Sequence, residues 1–410
     1  MRRVVITGLG VVSPLGCDLS TVWRKLQAGE SGIGPITKFD ATDFNSQIAG
    51  EVSDFDPNVA VDRKAQRRMD EFSVFAMVAA KSAVEDSGID FSAEDATRMG
   101  TIVSSGIGGL QTLEVQAKSM LERGPGRCSP FMIPQMIINM AGGMIAIEYG
   151  CQGPNYAVVT ACASASHGLG LSMQSIQRGE ADVIISGGSE ASVTTLGVGG
   201  FCAMRALSTR NDDPTAASRP FDVDRDGFVI ADGAAILILE ELEHAKARGA
   251  KIYCELAGFG MSCDAYHMTA PTETGDGAAR AMKMAMDSAG VTPADVNYIN
   301  AHGTSTQLND VMETAAIHGA LGDAANDVMV SSTKSMTGHM LGAAGGFEAA
   351  AVSLALRDQV VPPTINHHQP DPKCDLDYVP NEARQTDVNV CLSNSLGFGG
   401  HNACLAFKKV

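Results

Sequence analysis

The feature that most constrains this 410-residue sequence is that it repeats itself once, in the same order, over most of its length. Each copy has an apolar segment with two glycines, an alanine-containing helical segment, a strand that ends in glycine, and a strand that runs into small residues. The matching pairs are residues 4–11 and 253–261, 79–88 and 281–290, 101–106 and 298–303, and 158–170 and 330–342. Four matches in one order predict two similar halves, at residues 1–250 and 251–410.

The alternation of strand and helix patterns in each half predicts an α/β fold with largely parallel sheets. Residues 181–188 and 233–240 are nearly continuous apolar runs, as expected of buried parallel strands. A hydrophobic content of 45% is ample for a large core. Because residues suited to catalysis occur in both halves, the sequence predicts a site where the halves meet.

Cys162 is the strongest candidate for a nucleophile. It follows an apolar, strand-like run at a turn of small residues, and a helix-like stretch follows at residues 168–178. A thiol at a helix N-terminus is favoured as thiolate by the helix dipole, and free backbone N–H groups there bind an oxyanion. The alternative is a buried structural thiol, which is how we interpret Cys151 and Cys202.

Two histidines of the second half are candidates for the partners of this thiol. His302 and His339 each lie beside a glycine and among hydroxyl-bearing residues, where backbone and substrate come close. A single histidine in a polar loop is ordinarily only a loop residue. Two in similar settings, with Cys162 upstream, indicate acyl chemistry on a cysteine.

Charge and cysteine usage exclude several classes of protein. With 30 basic and 47 acidic residues the net charge is −17, which argues against nucleic acid or an anionic membrane as partner. Ten scattered cysteines without a CxxC pair predict reduced thiols in the cytoplasm and no zinc site. No uninterrupted apolar stretch reaches the ~18 residues of a membrane-spanning helix.

The N-terminal segment allows two other interpretations, which we set aside. Arg2 and Arg3, a hydrophobic run and Cys17 resemble a lipoprotein export signal, but glycines and Pro14 interrupt the run. Gly8-Leu9-Gly10 resembles part of a dinucleotide fingerprint, but Ser13 occupies the third glycine position. We therefore predict a tight structural turn there.

Two further segments suggest function less specifically. Residues 394–402 place Phe398 in a glycine-rich hinge, which is either an ordinary turn or a mobile gate. Residues 63–68 are the densest basic run of the chain, which is either a solvated helix face or a docking site for an acidic partner.

The motifs at residues 160–164, 300–306, 334–339 and 397–400 resemble those of the β-ketoacyl-[acyl-carrier-protein] synthases, most closely the synthase II group of bacterial type II fatty-acid synthesis. The resemblance extends from Val4 to Lys409. It implies the thiolase fold, a five-layered α/β/α/β/α body of two similar halves, and a homodimer. Gln307 and His401 depart from the family, which commonly has proline and threonine at these positions.

The resemblance also implies an activity: condensation of malonyl with acyl groups, both carried by acyl-carrier protein, with loss of CO2 and no metal or redox cofactor. Cys162 would carry the acyl group, and His302 and His339 would stabilise the enolate. The backbone N–H groups of Cys162 and Phe398 would form the oxyanion hole. Lys334 and Glu348 would support the site electrostatically.

The same resemblance assigns the substrate contacts. Ile107, Phe201 and Phe398 would line the acyl pocket, and Thr269, Thr304 and Thr306 would contact the phosphopantetheine arm. The positions that would dock the acidic carrier protein are Lys64, Arg67, Arg68, Arg123, Arg127 and Arg205.

Three other classes of protein are alternatives to this interpretation. A type II polyketide ketosynthase is the nearest. A catalytically inactive chain-length factor lacks the nucleophile, and Cys162 is present. A thiolase uses a second active-site cysteine, whereas this chain has two histidines.

Overall fold

The computed structural model describes residues 2–410. The helices are α1 (Leu19–Ala28), α2 (Arg63–Gln66), α3 (Glu71–Ser87), α4 (Leu110–Arg123), α5 (Met132–Met136), α6 (Met140–Tyr149), α7 (Ser164–Gln177), α8 (Thr195–Ala203), α9 (Leu242–Ala247), α10 (Asp276–Ala289), α11 (Gln307–Leu321), α12 (Lys334–Thr337) and α13 (Ala344–Asp358). The strands are β1 (Val4–Val12), β2 (Gly34–Pro35), β3 (Ile48–Ala49), β4 (Met99–Ser104), β5 (Asn155–Tyr156), β6 (Val183–Glu190), β7 (Gly233–Glu241), β8 (Cys254–Cys263), β9 (Tyr298–Asn300), β10 (Met329–Ser331), β11 (Val360–Val361), β12 (Arg384–Gln385), β13 (Val390–Gly397) and β14 (His401–Lys408).

Ten strands form one continuous sheet, and the internal repeat is visible in their order. The first five run β1-β7-β6-β4-β5 and the second five run β8-β14-β13-β9-β10, so each group has the order 1-5-4-2-3 in its own numbering. The groups join where β1 pairs with β8, at Val5 opposite Glu255. The prediction of largely parallel sheets is wrong. Within each group two neighbouring pairs are antiparallel and two are parallel, and the apolar run at residues 233–240 is the antiparallel β7.

The helices complete five layers. Apolar side chains of α7 and α13 share one core with strands of both groups, which places these two helices in the centre. Helices α3 and α6 cover the outer face of the first group, and α10 with α11 covers the second. The α/β/α/β/α arrangement implied by the family resemblance is therefore confirmed.

The glycines of the Gly8-Leu9-Gly10 segment lie inside a strand, so the predicted turn is wrong. A Cβ on Gly10 would lie 2.0 Å from the carbonyl oxygen of Ala79 in α3. A Cβ on Gly260 would lie 2.0 Å from the carbonyl oxygen of Ala281 in α10. Both positions need glycine because a helix backbone packs directly on the strand, and they are equivalent in the two halves.

The backbone around Cys162 also differs from the prediction. Only Asn155–Tyr156 forms a strand before it, and residues 157–159 have no regular structure. The following helix begins at Ser164, four residues earlier than its sequence pattern indicated. His167 lies inside this helix, whereas His339 precedes α13, so these two histidines are not structurally equivalent.

Candidate active site

Cys162 sits at a sharp bend that delivers it to the N-terminus of the central helix α7. Ala161 has a φ of 51°, an uncommon left-handed conformation for a residue with a side chain. The hydroxyl of Ser164 stabilises the bend, because it accepts from the Thr160 N–H at 2.9 Å and donates to the Ala161 carbonyl at 2.6 Å. The run of small residues around the cysteine is what lets the chain turn this tightly.

His302 is carried by the loop that follows β9. The carboxylate of Glu313, fully buried in α11, accepts the backbone N–H groups of His302 and Gly303, each at 2.8 Å. Burial raises the pKa of Glu313 to about 7. Glu313 is not among the residues predicted from the sequence, although an acidic residue on the apolar face of a helical segment was the available signal.

His339 is held through its backbone in the loop between α12 and α13. Its N–H donates to the Val229 carbonyl at 2.7 Å, and its own carbonyl accepts from the Ala231 N–H at 3.0 Å. Its ring meets the edge of Phe228 with centroids 5.5 Å apart. The hydrogen bonds that fix the backbone of His339 therefore do not involve its imidazole nitrogens.

The structure brings the three predicted catalytic side chains together. The Sγ of Cys162 and a ring nitrogen of each histidine all lie within 4.8 Å of one another. The rings of His302 and His339 are 5.3 Å apart at 85°. Within the described residues 2–410, Nδ1 of His302 and both ring nitrogens of His339 are buried and have no hydrogen-bond partner, so they are available to a bound group. Cys162 and the two imidazoles are also a ligand set that Zn²⁺ accepts, once the thiol has lost its proton.

Both imidazoles are neutral. Burial lowers the pKa of His302 and of His339 well below the ordinary value, and the charge of Lys334 lowers each further. A neutral imidazole keeps one N–H donor and one acceptor nitrogen.

The thiol of Cys162 does not behave as its position at a helix terminus predicts. Burial raises its pKa to about 12, and the nearby Glu190 adds to the rise. Lys334 and the backbone N–H groups of Phe398 and Cys162 lower the pKa but do not compensate. In this buried position desolvation therefore outweighs Lys334 and the two backbone N–H groups, and it opposes the thiolate that the helix N-terminus was expected to favour.

Lys334 and Glu348 form a buried ion pair below the histidines, each side chain 2% exposed. The Lys334 ammonium also donates to the main-chain carbonyl of His302 at 2.6 Å. Oε2 of Glu348 accepts no hydrogen bond from the part of the chain that the structure describes. The pair thus places a fixed positive charge beside both imidazoles.

A cavity of about 600 Å³ opens onto these groups. Its wall includes an apolar set and a polar set formed by hydroxyl-bearing residues. The apolar set is Ile107, Phe201, Phe228, Leu341 and Phe398, and the hydroxyl set is Thr269, Thr304 and Thr306. The hydroxyls of Thr304 and Thr306 lie 3.0 Å apart. All six residues predicted to line the acyl pocket or contact the pantetheine arm therefore border one cavity.

Comparison with known proteins identifies the family to which this chain belongs. Residues 1–245 match the model of the β-ketoacyl synthase N-terminal domain, and residues 253–368 match that of the C-terminal domain. The chain belongs to the β-ketoacyl synthase family. It is an acyltransferase of the condensing type.

Relatives of this synthase are similar over its whole length. It is 55% identical to 3-oxoacyl-[acyl-carrier-protein] synthase 2 of Synechocystis sp. and 53% identical to that of Coxiella burnetii, with 100% of this chain and 98% and 99% of the relatives covered. Among solved structures, a β-ketoacyl synthase from Burkholderia phymatum is 35% identical with a TM-score of 0.92, and each chain is covered completely. A type II polyketide ketosynthase complex with its acyl-carrier protein is 37% identical with a TM-score of 0.93, covering 100% of this chain and 99% of that chain. The higher identities favour fatty-acid synthesis over the polyketide alternative.

The six basic residues predicted for docking are exposed, and within residues 2–410 none of them forms an ion pair. Arg67 and Arg68 adjoin α5, since Gln135 donates to the Arg67 carbonyl and Arg68 stacks on Phe131 at 4.9 Å. Arg205 lies elsewhere, at the wall of the cavity.

Over the described part of the chain, no helix is both long enough and apolar enough to cross a bilayer.

The two departures from the family pattern lie at the edges of the site. Gln307 is the first residue of α11 and is exposed, and its carbonyl accepts from Arg225 at 3.1 Å. His401 is half-buried at the start of β14, directly after Gly399 and Gly400, which have φ of 88° and 74°. Neither departure alters Cys162, His302 or His339.

Proposed function

We propose that this synthase is a 3-oxoacyl-[acyl-carrier-protein] synthase that extends fatty acyl chains by two carbons through a thioester on Cys162. The observation that carries the proposal is the convergence of the Cys162 thiol with two neutral, unpartnered imidazoles at one cavity. Acyl transfer needs the thiol, and stabilisation of a carbanion needs the imidazoles.

In the first half-reaction the sulfur of Cys162 attacks the thioester carbonyl of the acyl primer. The thiol proton leaves through a nearby imidazole nitrogen, since a pKa of about 12 leaves little thiolate at neutral pH. The N–H groups of Cys162 and Phe398, already directed at the sulfur, bind the oxyanion. The carbon–sulfur bond to the pantetheine breaks, and its thiolate takes the proton.

In the second half-reaction the malonyl thioester loses CO2 and becomes an enolate. One N–H from each of His302 and His339 stabilises the charge on its oxygen; such a donor typically contributes about 10²–10³-fold in rate. The enolate carbon attacks the acyl–Cys162 thioester, a carbon–carbon bond forms, and the cysteine sulfur leaves. The product is a 3-oxoacyl thioester two carbons longer. By this scheme no metal or redox cofactor takes part.

Lys334 and Glu348 act on this chemistry without exchanging protons. Burial and the fixed cation together keep both imidazoles neutral, and the ammonium orients His302 through its carbonyl. A neutral imidazole donates a hydrogen bond to the enolate oxygen but is too weak an acid to protonate the enolate carbon, so the enolate remains able to attack.

The partner is an acyl-carrier protein, as for the similar polyketide ketosynthase. Six unpaired cations offer its acidic surface a local attraction despite the net charge of −17. We further propose a cytoplasmic homodimer, supported by exposed apolar side chains on α4, α5 and α6 such as Leu121, Ile133 and Ile147.

The function is tested by incubating the purified protein with malonyl-carrier protein and acyl-carrier proteins of graded length, with products identified by mass. We expect 3-oxoacyl products and an acyl adduct on Cys162. The matched control Cys162→Ala forms neither and still releases CO2 from malonyl-carrier protein. Absence of a 3-oxoacyl product at every length rejects the proposal.

A further inference from the structure

Glu190, the last residue of β6, is a fully buried carboxylate beside the active site. Among residues 2–410 it has no cationic partner; its oxygens accept hydrogen bonds from one loop of each half. Oε2 accepts the N–H of Gly106 at 2.7 Å and that of Gly342 at 2.9 Å. Oε1 accepts the hydroxyl of Ser105 at 2.7 Å and the N–H of Ile107 at 3.1 Å. A buried carboxylate with only neutral donors is costly, which indicates a specific role.

The two loops close tightly on this carboxylate. A Cβ on Gly106 would lie 2.8 Å from Oε2 of Glu190, and a Cβ on Gly342 would lie 2.7 Å from the same atom and 2.1 Å from the Gly106 nitrogen. The backbones of the two halves are thus in direct contact, with Glu190 as their common acceptor. Glu190 therefore joins the two loops through their backbone N–H groups.

Both loops form walls of the cavity. Ile107 follows Gly106, and Leu341, with a φ of 46°, precedes Gly342. Both side chains line the cavity that contains Cys162. Ile107 also lines a neighbouring apolar groove, bordered by Leu110, Leu113, Met136 and Ile137. The Ile107 side chain therefore separates the cavity from the groove.

We propose that Glu190 is a positioning residue that limits acyl-chain length by holding the backbone of Ile107. An acyl group on Cys162 reaches Ile107 and stops there while the Glu190 hydrogen bonds hold the loop. Released from them, Ile107 moves aside and a longer chain enters the apolar groove. This deepens the proposed condensing function, on which it rests.

The test is Glu190→Gln, which keeps the size of the side chain but replaces an accepting oxygen with an NH2 group facing N–H donors. We expect the kcat/KM for palmitoyl primers relative to octanoyl primers to rise by about tenfold, mainly through KM, since each methylene in an apolar pocket contributes an effect of that order. Equal changes for both primers, or none, overturn the proposal. A wild-type protein that makes no 3-oxoacyl product rejects the function itself, which is a separate result.

The matched control is Glu240→Gln. Glu240 is also a fully buried carboxylate, but it binds Thr7 and Arg248 and does not border the cavity. We expect the same loss of stability without a change in the palmitoyl-to-octanoyl ratio. If Glu190→Gln does not fold, Ser105→Ala tests the proposal instead. This substitution removes the hydroxyl that donates to Glu190 and accepts from the Gly108 N–H. It should shift the ratio in the same direction by a smaller factor, and an unchanged ratio in this variant rejects the proposal.

Discussion

The ammonium of Lys334 donates a hydrogen bond to the main-chain carbonyl of His302 at 2.6 Å. Burial lowers the pKa of His302 and of His339, and this buried cation lowers both further while it fixes the backbone of His302. Glu348 neutralises this cation within the core. Lys334 thus holds His302 in place and, together with burial, keeps both imidazoles neutral.

Lys334→Met, alone and combined with a change at Glu348, should separate the effect of Lys334 on the imidazoles from its contribution to the stability of the fold. Breaking a buried ion pair typically costs about 3–5 kcal/mol, because the remaining charge is left unpaired. We expect urea unfolding to show that loss and CO2 release from malonyl-carrier protein to fall at least ~10-fold. The double variant Lys334→Met with Glu348→Leu should regain most of the stability and none of the decarboxylation rate. Wild-type decarboxylation in the double variant would contradict the electrostatic role.

Alkylation of Cys162 by iodoacetamide should report its raised pKa. Burial raises the pKa of the thiol to about 12. As long as the pH is below this pKa, each rise of one pH unit therefore increases the thiolate fraction about tenfold. We expect the second-order rate constant to rise throughout the range from neutral to about pH 10 without a plateau. The exposed Cys263, measured by mass in the same sample, is the internal comparison. A plateau for Cys162 near neutral pH would show that the thiolate is stabilised after all.

Gly10→Ala and Gly260→Ala should each destabilise the fold, because the added Cβ would lie 2.0 Å from a helix carbonyl oxygen. We expect losses of about 1–3 kcal/mol or more in the free energy of unfolding, as for other overpacked sites. Gly143→Ala is the control, since nothing lies within 4 Å of its Cβ position in α6 and alanine favours a helix. Equal stability of Gly10→Ala and wild type would mean that α3 does not pack on β1 as described.

Charge reversal at Lys64 and Arg67 should weaken carrier-protein binding. We expect the apparent KM for carrier-linked primers to rise about tenfold, and the rise to shrink as salt screens the interaction. Alkylation of Cys162 should be unaffected. The control Lys283→Glu with Lys373→Glu changes the net charge equally at two exposed lysines elsewhere. If both double variants raise KM equally, the effect belongs to net charge and no docking site is indicated.

Local pattern was sufficient for part of the site. Glycine, hydroxyl and small-residue neighbours singled out Cys162, His302 and His339, and the structure places all three within 4.8 Å. The repeat predicted two similar halves but no strand order, and the apolar run at residues 233–240 was wrongly expected to be a parallel strand, whereas β7 is antiparallel to both of its neighbours. Strand direction depends on which neighbours pair, and an apolar run reads the same in a parallel or an antiparallel sheet.

The sequence by itself determined the repeat, the identity of the reactive residues and their division between two halves, because each is encoded in local composition and order. Only the tertiary structure decided the protonation state of Cys162, the neutral state of the histidines, and the roles of Glu190 and Glu313. These properties arise from desolvation and from donors that are remote in the sequence: Gly342 reaches Glu190 across 152 positions. Burial and such long-range hydrogen bonds exist only once the two halves have packed together.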